Sequence, residues 1–431
     1  MRDLILALII FGSLPVILVR PWVGIMMWSW ISLMNPHRMS WGFMYDINVG
    51  MIIGITTLVA WVASFKEDRR IPINSITVLM FVLIAWCGVT TLFAVFEESW
   101  TKYHQFVKII LMTFVALSLI KKHEHFRYLM WVSILAVGYF SIKGGVFTIL
   151  TGGAFTIWGP PDTFIEDNNA LALATLMIIP LMFYLGRTSE HKWVRYGMYV
   201  GALLSMASVI GSYSRGGFLG LAAILVFLCL RSKYRLIIGV AVVIAVSLAT
   251  SLIPQKWFDR MDTIQSYEQD DSAMGRVQMW GHAIRIANDR PIVGGGFRVF
   301  EHGPTYDRLS PEIIVQLNVH SIYFEMLGTQ GYVGLAIFLM LGMAGLLTSQ
   351  KIKRLVKDRP DLRDAHLFGN MMQISLVAYA VTGTFQNLST YDLYYTLLAL
   401  ISMQYMIVRN ELGKPAPFST WSPRIYSHKN T

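Results

Sequence analysis

The amino-acid sequence predicts an all-α membrane protein with about 12 transmembrane helices. Of its 431 residues, 55% are hydrophobic and only 14% are charged, and the mean hydropathy is +0.51. Apolar runs of about 20 residues, the length that a helix needs to cross the hydrocarbon core, recur from one end of the chain to the other. Because lipid offers no hydrogen-bond partner to a bare peptide group, these runs are expected to be helices.

The charged loops predict which ends of these helices face the cytoplasm. The net charge is +10, but one set of loops holds 22 Lys and Arg against 8 Asp and Glu, whereas the alternate set holds 9 against 15. By the positive-inside rule the first set is cytoplasmic and the second faces outward. The first set is 66–70, 121–127, 187–195, 231–235, 351–364 and 409–431, and the second is 35–47, 97–103, 151–167 and 253–319. The basic balance is therefore a topology signal, and no nucleic-acid partner is predicted.

Eleven predicted spans alternate between the two sides without conflict. They lie near 48–65, 73–96, 103–120, 126–150, 168–186, 194–212, 216–230, 235–253, 320–349, 367–388 and 390–408. The first 34 residues are ambiguous, because Arg20 and Pro21 split them into two short apolar runs. Two crossings would place the N-terminus outside, and one kinked or partly re-entrant element would place it inside. We expect the single crossing, which gives twelve spans with both ends in the cytoplasm, and we expect the N-terminal run to be retained.

A long outward segment divides the predicted chain. The four parts are an N-terminal transmembrane bundle (1–253), a large periplasmic loop (254–319), C-terminal transmembrane helices (320–408) and a cytoplasmic tail (409–431). The loop is too long to be a plain connection. Its stretch 275–289 places Val277, Trp280, Ile284 and Ala287 at helical spacing. We expect a surface helix that packs over the outer mouth of the bundle through this face.

Three cations lie where predicted spans meet the outward side: Lys108, Lys143 and Arg215. An ionisable side chain within a span is costly and is a functional candidate by default. Arg215 stands in "SYSRGGFLGL", where one span ends and the next begins, and Gly216 and Gly217 permit a close approach to the backbone. Helix N-terminal N–H groups and an arginine fork together suit an anion. The alternative is that these side chains reach for lipid phosphates.

The second candidate stretch is "NVHSIYFEMLGTQGYVG". His320 opens an inward-running span, and Tyr323 lies on the same helical face. One interpretation is that His320 is a general base, because a neutral imidazole can take a proton from a hydroxyl near neutral pH. The alternative is that His320 and Tyr323 form an ordinary hydrogen-bonded pair. Glu325 would point about 140° away from His320 on a helix and is expected to pair elsewhere. Asp392 lies near the outer turn of the last two spans and is the remaining candidate for a nucleophilic carboxylate.

The large loop supplies further cations, namely Arg276, Arg285, Arg290 and Arg298. The stretch "GGGFR" (294–298) offers backbone amides to a ligand, although a glycine triplet is more often a turn.

Asn168 and Asn169 follow Asp167 at the outer mouth of another span, either as helix caps, which the position favours, or as sugar-binding amides. The sequence contains no H-x-x-x-H, C-x-x-C or D-x-D cluster, no Walker loop and no Rossmann fingerprint. We therefore predict no metal and no cofactor.

Three motifs together resemble the O-antigen ligase and Wzy polymerase superfamily. They are "SYSRGGFLGL" (212–221), "GRVQMW" with "RPIVGGGF" (275–297) and "HSIYFEMLGTQGYVGL" (320–335), in that order around a long outward loop. The first 150 residues, with "PWVGIMMWSWISLMNPHRMSWGF" and "IKGG", resemble the subgroup of O-glycosylation ligases associated with exosortase systems. The resemblance covers essentially the whole chain.

The resemblance implies a glycosyltransferase of the GT-C type in the bacterial inner membrane. Such enzymes transfer a glycan from undecaprenyl pyrophosphate to an acceptor hydroxyl at the periplasmic face, without metal or nucleotide. Arg215 and Arg276 match the superfamily's essential arginines and His320 its essential histidine, although Ser321 stands where Asn is frequent. The arginines would hold the pyrophosphate, and His320 would be the general base of an inverting displacement. The further candidate substrate contacts are Lys143, Lys108, Arg290, Arg298, Tyr323, Asn168 and Asn169.

The acceptor separates the alternatives within this superfamily. An O-antigen ligase uses lipid A-core, a polymerase uses a second glycan chain, and a protein O-oligosaccharyltransferase uses a polypeptide. We favour lipid A-core because cationic spans suit a phosphorylated lipid. A transporter would also explain cations within spans, but the charges gather at one face instead of the midplane.

Overall fold

A computed structural model describes residues 1–64, 69–231 and 271–413, and the regular elements among them are helices. The helices are α1 (Arg2–Val19), α2 (Pro21–Met34), α3 (Val49–Ala63), α4 (Ser75–Leu92), α5 (Ser99–Leu119), α6 (His123–Leu150), α7 (Asn168–Thr188), α8 (Lys192–Gly211), α9 (Arg215–Arg231), α10 (Asp271–Asp289), α11 (Gly303–Leu309), α12 (Ile322–Leu355), α13 (Arg363–Gly383) and α14 (Asp392–Glu411). Single 3₁₀ turns lie at Pro36–Met39, Val299–Glu301 and Pro360–Leu362.

Every predicted span within the described part of the chain coincides with a helix to within a turn or two. The predicted span near 235–253 lies outside the described residues. By length and apolar composition, α1, α4, α6, α7, α8 and α12 can each cross a membrane, and α3 and α9 are shorter apolar helices. The chain is therefore a multi-pass membrane protein.

Helix α7 lies at the centre of the bundle. It is apolar on all sides, and 89% of its most hydrophobic window is buried, as expected for a helix that faces protein all round. Helices α6, α8, α9 and α13 pack around it. The predicted N-terminal and C-terminal membrane parts therefore share one core, which includes Leu173 and Ile178 of α7 and Leu376 of α13.

The first 34 residues form a helical hairpin, so the expectation of a single kinked crossing is wrong. The chain turns at Arg20, and Pro21 begins α2, a position where the missing N–H has no cost. At the other end of α1, the Asp3 carboxylate accepts a hydrogen bond from the Met44 N–H at 3.2 Å. The start of α1 therefore lies beside residues that follow the end of α2, and the N-terminus is on the same face as segment 35–47.

Helix α12 changes direction at Gly331, where the backbone has a φ of 71°. The glycine triplet docks on this bend, with the Gly295 N–H donating to the Gly328 carbonyl and the Gly296 N–H to the Thr329 carbonyl, both at 2.9 Å. A Cβ on Gly331 would lie 2.3 Å from the Ile292 carbonyl oxygen. The triplet amides are therefore used within the fold, which corrects their interpretation as amides offered to a ligand.

The predicted helix of the outward loop is present as α10, and its predicted face is buried only in part. Met279, Ala283 and Ile286 are buried in a small core shared with α11 and the segment that follows it. Val277 and Ile284 are 49% and 39% exposed. Of the other two predicted residues, Ala287 is fully buried and Trp280 stacks on Phe324 of α12, so α10 packs against both its own loop and the bundle.

Candidate functional site

The start of α9 carries Arg215 as its first residue. Ser214 precedes it and caps the helix, since its Oγ accepts the Gly217 N–H at 2.9 Å. A Cβ on Gly217 would lie 2.9 Å from the Ala172 side chain of α7, and a Cβ on Gly216 would lie 3.1 Å from Phe385. The glycine pair thus allows α9 to begin in contact with α7 and with the turn between α13 and α14, and it brings the half-buried Arg215 to that point.

The start of α7 is tied to the same place. The Asp167 carboxylate caps α7 by accepting the N–H groups of Asn169 and Ala170 at 2.9 and 3.2 Å. Asn168 donates its amide to the Ser212 carbonyl at 2.7 Å, and Asn169 donates to Asn168 at 3.1 Å. Asn168 therefore holds the segment that precedes Arg215, and the cap itself is Asp167.

His320 lies immediately before α12 and connects to that cap through one residue. Gln386, which is 2% exposed, donates from Nε2 to the Asp167 carboxylate at 2.6 Å, and its side chain also hydrogen-bonds to His320. His320 has a φ of 43°, a conformation that non-glycine residues rarely adopt. Its Nδ1 atom is buried and has no hydrogen-bond partner in the described part of the chain.

The charge state of His320 follows from these surroundings. Burial lowers its pKa from the ordinary 6.5, and the Arg276 guanidinium lowers it further, whereas Asp167 and the hydrogen bond with Gln386 act in the opposite direction. The net direction is downward, so the imidazole is neutral at pH 7. A neutral ring can accept a proton at the nitrogen that is not bonded to Gln386.

Helix α10 brings Arg276 to His320. One turn after Arg276, Trp280 stacks on Phe324 of α12 with ring centroids 5.0 Å apart, and its indole N–H donates to the Val319 carbonyl at 3.0 Å. Its ring also lies 6.4 Å from that of Phe385. The turn at Phe385 and Gln386 therefore contacts the segments that carry all three residues predicted to be catalytic, Arg215, Arg276 and His320.

The predicted lysines lie elsewhere. Lys143 is exposed and lines a cavity of about 760 Å³ together with Arg2 and Arg38. Lys108 is also exposed and lines a different cavity, of about 430 Å³. Neither cavity is lined by Arg215, Arg276 or His320, so the structure does not bring the two lysines together with the arginines.

Other candidates serve the architecture. Tyr323 donates its hydroxyl to the Ala380 carbonyl of α13 at 2.8 Å, and Arg290 donates to the Phe93 carbonyl after α4. Arg298 forms an ion pair with Glu301, with its Nε 3.0 Å from both carboxylate oxygens. Tyr323 and Arg290 therefore hold elements together, and Arg298 lines a third, polar cavity beside the site.

The two carboxylates without an assigned role, Glu325 and Asp392, also have hydrogen-bond partners. Glu325 accepts the Ser389 N–H at 3.0 Å, which agrees with its expected pairing away from His320. Asp392 is 5% exposed and accepts a hydrogen bond from Ser32 of α2. It lines a narrow space between α2, α5 and α14 that includes none of the site residues.

Sequence reasoning missed Gln386 and Phe385, and it interpreted Asp167 only as part of a cap. Both missed residues lie in the short polar turn "TFQNLST" between the last two helices. A glutamine in a turn has no spacing signature, and its link to Asp167 spans 219 residues of sequence. Only the packing of α13 and α14 against α7 shows the contact.

The comparisons with known proteins identify the central part of the chain. Residues 200–339 match the Wzy_C family model, described as O-Antigen ligase. The central third of the chain is therefore similar to the O-antigen ligase family. This confirms the resemblance, and it supports a glycan-transferring ligase or polymerase function in general. The O-antigen ligase domain contains Arg215, Arg276 and His320.

The rest of the comparison concerns the flanks of this domain. Residues 1–190 match a family of unknown function (DUF5935). This matched range contains Lys108, Lys143, Asn168 and Asn169. A comparison with curated proteins gives no match. Gln386 lies beyond both matched ranges.

Proposed function

We propose that this protein is an O-antigen ligase of the bacterial inner membrane. It transfers a glycan from undecaprenyl pyrophosphate to a hydroxyl of lipid A-core at the periplasmic face, in a metal-independent, inverting displacement. Arg215 and Arg276 hold the pyrophosphate, and His320 is the general base. The observation that carries the proposal is the turn at Phe385 and Gln386, which contacts the start of α9, the Trp280 ring of α10 and the His320 ring.

The two arginines act on the leaving group. As the bond between the sugar and the pyrophosphate breaks, negative charge develops on the phosphate oxygens, and fixed cations stabilise that charge most in the transition state. The planar guanidinium can hold two oxygens at once and stays charged. Arg215 is also the first residue of α9, and the dipole at a helix N-terminus favours an anion.

His320 acts on the acceptor. Its neutral ring takes the proton of the acceptor hydroxyl, the hydroxyl oxygen bonds to the anomeric carbon, and the bond from that carbon to the phosphate oxygen breaks. Undecaprenyl pyrophosphate leaves with the electron pair. The step inverts the anomeric configuration, and no covalent enzyme intermediate forms.

A second group of cations supports a phosphorylated lipid acceptor over a protein. Arg2, Arg38 and Lys143 line the cavity between α1 and α6, and Trp30 and Phe147 supply it with apolar surface. Cations beside apolar side chains suit a lipid phosphate with its hydrocarbon chains. A protein O-oligosaccharyltransferase would use the same donor without needing this cavity, whereas a polymerase that extends a second lipid-linked glycan would also use a site of this kind.

The test combines one substitution with a choice of acceptors. The purified protein is incubated with lipid-linked glycan extracted from its host and, separately, with lipid A-core, a peptide, or no further acceptor. Arg215→Lys should lower the rate on the order of 10²-fold, since one ammonium cannot replace the guanidinium fork.

Arg290→Lys is the matched control for this test. Arg290 bonds to a backbone carbonyl away from His320, so its substitution should leave the rate per folded molecule nearly unchanged. Near-normal transfer by Arg215→Lys would contradict the pyrophosphate role. Transfer of glycan to the peptide, or elongation of the glycan when no further acceptor is present, would contradict the ligase assignment.

A further inference from the structure

A polar cavity of about 310 Å³ lies beside the candidate site, and the proposed mechanism does not use it. Three side-chain amides line it, those of Gln105, Asn318 and Asn387. None of these amides hydrogen-bonds to another described residue, and Gln105 and Asn318 are exposed. Each amide offers both a donor and an acceptor, the pair of functions that neighbouring sugar hydroxyls can satisfy.

The charged groups of this cavity balance. Arg298 is paired with Glu301, with Nε and Oε1 3.0 Å apart, and the other two charged residues of the lining are Lys102 and Glu325. Two cations therefore face two carboxylates. A pyrophosphate needs an excess of positive charge, so the cavity suits a neutral ligand that is rich in hydroxyl groups.

The cavity adjoins the segment that carries His320 and is lined by neither Arg215 nor Arg276. Along the turn, Phe385 lies against the start of α9, Gln386 bonds to His320, and Asn387 lines the cavity. Val319, immediately before His320, also lines it. In an inverting displacement the attacking hydroxyl and the leaving group lie on opposite sides of the anomeric carbon. A sugar residue in the cavity would lie beside the proposed general base, with both arginines outside the lining, which is the arrangement expected for the acceptor.

The geometry points to this cavity as the binding site of the sugar residue that carries the acceptor hydroxyl. The inference rests on the proposed function and narrows it, because the acceptor is then a glycan and not a protein side chain. The volume is at the small end of ligand pockets, which run roughly from 300 to 1,000 Å³. It is suited to one sugar residue, which comes either from lipid A-core or from a second glycan chain.

The experiment measures oligosaccharide binding to the purified full-length protein. One probe is the core oligosaccharide released by mild acid from lipooligosaccharide, and the other is the oligosaccharide released from the host's lipid-linked glycan. The double substitution Gln105→Ala and Asn387→Ala should weaken binding about 10-fold, as expected when a few hydrogen bonds are lost. His104→Ala is the control, since His104 is the neighbour of Gln105 on α5 but does not line the cavity.

The outcomes separate the cavity from the proposed function. Binding of the core oligosaccharide that the double variant loses supports a ligase site, and the same result with the other oligosaccharide indicates a polymerase. The affinity for the intact lipid-linked donor should not change. Binding of neither oligosaccharide by the unsubstituted protein, or an equal loss of donor affinity in the double variant, overturns the inference. Failure of the Arg215→Lys test instead counts against the proposed function.

Discussion

His320 combines an unusual backbone with an unusual ring environment. A φ of 43° in a residue other than glycine costs about 1–3 kcal/mol and persists only where the surroundings hold it. The buried Nδ1 has no hydrogen-bond partner among the described residues, which is costly unless a ligand uses it. Backbone strain and an unused polar atom at one residue are more typical of a functional site than of a packing residue.

Replacing His320 should remove the general base and leave donor binding intact. We expect His320→Ala to lower the single-turnover rate on the order of 10²- to 10⁴-fold, with an unchanged affinity for the lipid-linked donor. His320→Asn is the matched control for backbone strain, because asparagine tolerates the left-handed conformation but cannot act as a base. Both variants should be inactive. Recovery of the rate in His320→Asn would show that the histidine has only a structural role.

Gln386 should position His320 and set its pKa. Its hydrogen bond raises the pKa of His320 against burial and Arg276. The base works only when neutral, so the rate is lost as pH falls through this pKa. Gln386→Ala should therefore lower the rate and move its acid limb to lower pH, whereas Gln386→Glu, which adds a carboxylate, should move the limb to higher pH. Rate profiles of both variants check this, and limbs that stay in place would contradict it.

At the scale of elements, the helices were predictable and their contacts were not. Apolar length predicted where α3 to α9 and α12 to α14 lie along the chain, because a run in lipid must satisfy its own backbone hydrogen bonds. The buried face of α10 was predicted only in part, since Trp280 and Ala287 are packed, Val277 and Ile284 are exposed, and Met279 and Ile286 meet the neighbouring loop. Periodicity shows that a helix has an apolar face, but it does not show which element packs against that face.

The bend of α12 gives a test of how the outward loop is held. Gly331→Ala would place a side chain at a φ of 71°, 2.3 Å from the Ile292 carbonyl oxygen, at a cost of about 2–5 kcal/mol. We expect a lower melting temperature and a lower transfer rate, because the docked segment leads from α10 to the site. Gly281→Ala is the matched control, since nothing lies within 4 Å of its Cβ position inside α10. It should stabilise by up to about 1 kcal/mol, and equal melting temperatures for the two variants would refute the docking argument.

At the scale of the whole molecule, the candidate site depends on a fold that joins distant parts of the chain. Arg215, Arg276 and His320 lie within the O-antigen ligase domain and could be named from their motifs. Gln386 could not, because it lies outside that domain and meets Asp167 only through the packing of α13 and α14. The central position of α7 makes this possible, since its capped start lies where these helices turn.

The orientation of the whole bundle can be tested with single cysteines. In a background without Cys87 and Cys229, we expect Arg2→Cys and Trp41→Cys to react with a membrane-impermeant maleimide in cells with a permeable outer membrane. Trp193→Cys, at the opposite end of α7 and α8, should react only after lysis. The reason is that Arg2 lies 5.7 Å over the Trp41 ring, in a face predicted to be outward, whereas Trp193 lies in a basic loop.

Each labelling pattern has a different meaning. Trp41→Cys labelled without Arg2→Cys would contradict the α1–α2 hairpin and restore the single crossing. Labelling of Trp193→Cys alone would show that the bundle has the opposite orientation, with His320 and Arg215 on the cytoplasmic side. A glycan donor presented at the periplasmic face could not reach them there. The labelling result thus decides whether the candidate site and its proposed substrates lie on the same side of the membrane.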